Sequence, residues 1–173
     1  MFKVVGELSN TEESDMKSKR TLAIVAIVIL SIVVLINILK KDLWDVNEEL
    51  LKEEVLSIKD SKEMVDLSNV TPFEWDIVYS FKPYISKDTI YETIGYKWDN
   101  INKTFDEGMN QIVFLKDGKV VCHLYGYPSN TGYGINFISE NNTGLTSASM
   151  LSIEDDLTFQ VVRSDNVIYL KNN

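Results

Sequence analysis

The chain has 173 residues and a formal net charge of −9, room for one domain of ordinary size with its own core. The charge is unevenly shared: residues 1–41 hold six Lys/Arg and four Asp/Glu, for +2, and residues 42–173 hold eleven and twenty-two, for −11. So acidic a domain repels phosphate backbones, which argues against a nucleic-acid partner, and the single cysteine, Cys122, excludes an intrachain disulfide scaffold.

Residues 1–20 read as a short polar tail. From Thr21 to Leu39 the chain carries nineteen residues without a charge. As a helix rising 1.5 Å per residue they would span about 28 Å, close to the roughly 30 Å of a bilayer's hydrocarbon core. The run is apolar on every face and lacks a small-residue cleavage site, so it is expected to be an uncleaved transmembrane signal-anchor in contact with the lipid bilayer. Lys17, Lys19 and Arg20 before it slightly outnumber Lys40 and Lys41 after it. That balance and the large C-terminal part predict a single-pass membrane protein with a cytoplasmic N-terminus and an extracytoplasmic domain.

Residues 40–66 are expected to form a juxtamembrane helix, with Trp44, Leu51, Ile58 and Val65 recurring every seven positions. Thr71-Pro-Phe-Glu74 matches a capping box with proline at the first helical position. Trp75, Ile77, Tyr79 and Phe81 then alternate with polar residues, as in a half-buried strand. Ser86 is placed to cap a short helix that Gly95 ends. Gln111–Tyr127 is a hairpin signal around Asp117-Gly118. Residues 128–149 read as loops around one strand, Tyr133–Ile138. A second hairpin closes the chain, Leu157–Val162 and Val167–Leu170 joined through Arg163–Asn166. The expectation for residues 67–173 is an α+β domain: an antiparallel sheet of about five strands with one long and one short helix, preceded by a single transmembrane helix.

No catalytic, cofactor or metal constellation emerges. His123, the one histidine, follows Cys122 in a strand, so the two face opposite ways and cannot pair with each other; Cys122 is expected inside and His123 outside. Asp106-Glu107 and Glu154-Asp155-Asp156 lack the alternating spacing that wraps acids around calcium. The aromatic residues Tyr84, Tyr91, Trp98, Tyr125 and Tyr127 are the candidate partner-binding set, because Tyr and Trp anchor interfaces well, although packing in a small sheet domain uses the same residues.

The run Thr71-Pro-Phe-Glu-Trp-Asp-Ile-Val-Tyr-Ser-Phe-Lys-Pro-Tyr84, with Gly95-Tyr-Lys-Trp98 and Lys116-Asp-Gly-Lys-Val-Val121, resembles small, poorly characterised envelope proteins of Gram-positive bacteria. Many of those carry an N-terminal anchor or a lipoprotein signal. The likeness covers about residues 65–127, and this chain departs from the lipoprotein members in lacking a cysteine to lipidate. The resemblance implies an envelope location and no particular activity. The expected function is a non-enzymatic, membrane-anchored binding module for a protein partner, which the acidic charge suggests is basic. The alternatives are an immunity-type inhibitor masking a toxin at the membrane and an enzyme using paired carboxylates.

Overall fold

The computed structural model describes residues 19–22, 24–32, 34, 41–138 and 146–172. Residues 1–41 and 42–173 form separate units. In the first unit the described residues between 19 and 34 are helical. Among the described residues no helix is long and apolar enough to cross a membrane. Residues 23, 33 and 35–39 of the expected anchor lie outside the described residues, as does the tail before residue 19. The expected transmembrane helix is therefore corrected, and with it the single-pass membrane location, the cytoplasmic N-terminus and the extracytoplasmic domain.

The second unit runs α1 (Leu43–Leu56), β1 (Met64–Asp66), α2 (Leu67–Val70), β2 (Ile77–Phe81), α3 (Lys87–Ile94), β3 (Asn110–Lys116), β4 (Lys119–Gly126), α4 (Pro128–Thr131), β5 (Tyr133–Phe137), β6 (Ala148–Ser152), β7 (Thr158–Ser164) and β8 (Val167–Asn172). Its strands build two four-stranded sheets, ordered β4-β3-β2-β6 and β1-β7-β8-β5. The first is antiparallel throughout, whereas β5 lies parallel to β8 in the second. The class is α+β as expected, but the single sheet of about five strands is corrected to two sheets of four. β1 falls inside the stretch with helical spacing, and β6 follows a Gly-, Asn- and Ser-rich run that reads as loop.

One core lies between the sheets. Val78, Ile112, Phe114, Cys122, Leu124 and Leu151 of the first sheet meet Tyr133, Ile135, Phe137, Phe159, Val161 and Leu170 of the second. The first sheet buries its other face too. There Tyr79, Phe81, Val113, Leu115 and Ala148 pack with Ile90 and Ile94 of α3 and with Ile101. β2 is thus buried on both sides rather than half-buried, and Trp75, just before it, joins the inter-sheet core instead of sharing a face with Ile77 and Tyr79.

α1 covers the edge that β4 would otherwise expose. Asn47, Leu51 and Val55, spaced by four, form its buried stripe. In the β3–β4 ladder Phe114 pairs with Cys122 and Leu115 with Val120, which leaves Val121 as a bulge. The Asn47 side-chain amide donates to the Val121 carbonyl at 2.9 Å. One residue earlier, the Val120 N–H donates to the Tyr96 hydroxyl at 2.9 Å.

The expected helix over 40–66 stops at Leu56 because a tertiary contact claims the next turn. The Arg163 guanidinium donates to the carbonyls of Ile58, Lys59 and Lys62, and β1 follows in pairing with β7. Thr71 does not start a helix; it closes α2, its hydroxyl donating to the Leu67 carbonyl at 3.0 Å and accepting from the Trp75 indole at 2.8 Å. Ser86 caps α3 by accepting from the Thr89 N–H, and Gly95 ends it at φ +87°. Asp117 and Gly118 both take the positive φ that a two-residue hairpin turn requires, and Asp165 and Asn166 do the same between β7 and β8.

Candidate binding cleft

α1 and β4 together position one cleft on the surface of the domain. On α1, Trp44, Glu48 and Lys52 are spaced by four and lie beside the buried stripe, so all three reach the same side of the helix. On β4, His123 and Tyr125 share the face opposite Cys122 and Leu124. The segment after α3 adds Asn100 and Asn102, and α4 adds Asn130 and Thr131. These nine residues line a half-open cleft of about 340 Å³.

Aromatic rings organise its floor. The Trp98 ring stands edge-on to Trp44 at 5.4 Å and to His123 at 5.1 Å, and His123 lies 5.8 Å from Tyr125. Trp44 is itself 6.2 Å from His123. The expectation that His123 faces outward is corrected: Trp44 and Trp98 roof the imidazole, which is only 4% exposed. Burial lowers its pKa to about 4, so the ring is neutral at physiological pH. Its Nε2 has no hydrogen-bond partner among the described residues. The Tyr125 hydroxyl donates to the Lys103 carbonyl at 2.7 Å, which fixes that ring against the cleft.

Glu48 supplies the one carboxylate of the lining. Burial raises its pKa, with nearby Lys52 acting in the opposite direction. The Tyr133 hydroxyl donates to it at 3.5 Å from inside the domain. Three of the five other acids singled out in the sequence cap turns. Asp106 accepts from the Gly108 N–H, Asp155 from the Ser152 N–H and Asp156 from the Thr158 N–H. Among the described residues no group of three His, Cys, Asp or Glu side chains is placed to hold a metal ion.

Of the five candidate partner-binding residues, the structure brings Trp98 and Tyr125 together through His123. Tyr91, on α3, packs against the outer core. Tyr84 projects from a left-handed turn (φ +67°) and is 64% exposed, with no part in the cleft lining. Tyr127 precedes α4 and is also outside the lining. Trp44, Glu48, Asn100, Asn102 and His123 were not among the candidates. The four-residue spacing of Trp44, Glu48 and Lys52 and the shared parity of His123 and Tyr125 were the available signals. Comparison of the chain with protein-family models, with curated proteins and with solved structures finds no match.

Proposed function

We propose that residues 42–173 form a non-enzymatic binding module whose ligand sits in the cleft between α1 and β4. The observation that carries this reading is a concave site walled by Trp44 and Tyr125, with the buried His123 ring among its lining residues. Small-ligand sites combine such apolar walls with a few convergent polar groups, and about 340 Å³ lies within their usual range. Hydrolysis by paired carboxylates needs two such groups across the site, whereas the lining holds Glu48 alone. That composition argues against paired-carboxylate hydrolysis and supports the non-enzymatic reading.

The test is a thermal-shift screen of the full chain against neutral sugars, amino acids, quaternary ammonium ions and nucleotides. At least one class is expected to raise Tm, and Trp44→Ala is expected to abolish the gain while keeping a cooperative transition. A gain that survives Trp44→Ala, or no gain from any class, would contradict the assignment of the cleft.

A further inference from the structure

The chemistry of the lining narrows the ligand class. Its fixed charges are one of each sign, Glu48 and Lys52, and His123 is neutral. A cationic ligand would find aromatic rings but also the Lys52 ammonium in the same wall. An anionic one would enter a domain of charge −11 and meet Glu48. An uncharged ligand meets neither penalty.

The remaining lining groups are amides and aromatic faces. The side-chain amides of Asn100, Asn102 and Asn130 line the cleft and make no hydrogen bond with the described residues. Each offers a donor and an acceptor together, which suits a hydroxyl group that is also both. Trp44 and Tyr125 are aromatic lining residues, and an aromatic ring has an apolar face on which the C–H face of a pyranose can stack. His123 Nε2 is buried and has no partner among the described residues. Gln111 lies on the same sheet face, directly across the ladder from Tyr125. It is 1% exposed, and neither its amide oxygen nor its nitrogen has a partner among the described residues. Polar atoms thus continue from the cleft into the sheet behind it.

We propose that the cleft is a saccharide site, taking an uncharged mono- or disaccharide. Its ring stacks on Trp44 and Tyr125, and its hydroxyls bond to the Asn100, Asn102 and Asn130 amides. This assignment rests on the cleft being the binding site, and the test separates the two claims.

The full chain is titrated with cellobiose, maltose and the N-acetylglucosamine dimer, and in parallel with tetramethylammonium and inorganic phosphate, with tryptophan fluorescence as the readout. At least one sugar is expected to give a saturable change that added salt leaves in place. Asn102→Ala, at an exposed position, is expected to weaken that binding about tenfold with an unchanged melting curve, the loss of one to two hydrogen bonds. Trp44→Ala is expected to weaken it further. Binding of tetramethylammonium or phosphate but no sugar, lost in Trp44→Ala, would overturn the saccharide class and leave the cleft as the site. Sugar binding untouched by both substitutions would overturn the cleft itself, and silence from every probe would overturn both.

Discussion

The side-chain amide of Asn110 brackets the backbone of Ile135, accepting from its N–H at 3.1 Å and donating to its carbonyl at 3.2 Å. Asn110 begins β3 in one sheet, and Ile135 sits on β5, an edge of the other. The side chain therefore satisfies an edge strand as a neighbouring strand would, and it ties the two sheets at that corner. Gly134 makes the approach possible: a Cβ there would lie 2.8 Å from Asn110 Oδ1 and 2.9 Å from Pro128 Cγ. Asn110→Leu leaves both Ile135 groups buried and unpaired, at about 1–3 kcal/mol for each. Urea unfolding is expected to show a loss of at least about 2 kcal/mol for Asn110→Leu, on that scale, and a loss for Gly134→Ala as well.

His123 makes folding sensitive to acid. Its folded pKa, about 4, lies below the ordinary 6.5 because burial disfavours the imidazolium. Between those values the unfolded chain binds the extra proton, so this contribution is complete above pH 6.5 and is lost as pH falls toward 4. The loss amounts to about 3 kcal/mol on the scale of 1.36 kcal/mol per pKa unit. His123→Gln cannot titrate there, whereas Glu48 and the surface acids titrate in both proteins. The stability difference between wild type and His123→Gln is expected to shift against wild type by about that amount from pH 6.5 to 4. A difference that stays flat with pH would show that the imidazole is not buried neutral.

Thr71 and Trp75 form a buried side-chain relay. The Thr71 hydroxyl accepts from the indole N–H and donates to the Leu67 carbonyl. Thr71→Val keeps the shape and strands the indole donor, which costs about 1–3 kcal/mol. Trp75→Phe removes the donor and with it that penalty. The double variant is therefore expected to be destabilised by less than the sum of the two single variants, a non-additivity that chemical denaturation measures directly.

Cys122 is fully buried in the inter-sheet core, and burial raises its thiol pKa well above the ordinary value. It is expected to resist a thiolate-selective reagent such as DTNB at pH 8 in the folded protein and to react promptly in denaturant. Prompt reaction of the native protein would contradict its place between the sheets.

Parts of this fold were legible because they rest on local chemistry. Asp117-Gly118 and Asp165-Asn166 mark turns that need positive φ, and Ser86 and Gly95 bracket α3 through their own backbone preferences. The failures occur where a distant residue decides. Arg163 claims the carbonyls after α1 and so cuts short a pattern that reads as one long helix. The capping-box signature at Thr71 is the local exception, yielding to bonds with Leu67 and Trp75, each four residues away. The parallel pairing of β5 with β8 joins segments about thirty residues apart and leaves no local mark. The cleft was half legible for the same reason: aromatic richness pointed to Trp98 and Tyr125, but only the docking of α1 on β4 brings Trp44 and Glu48 to them.

The most direct measurement is the indole N–H region of the ¹H–¹⁵N spectrum of the full chain, titrated with the sugar that most raises Tm. Its three tryptophans occupy three environments: Trp44 in the cleft lining, Trp98 edge-on behind it, and Trp75 in the inter-sheet core bonded to Thr71. The Trp44 signal is expected to move most and to saturate, Trp98 to follow weakly, and Trp75 to stay in place. Movement of Trp75 with Trp44 unchanged would place the ligand elsewhere and contradict the cleft as the binding site.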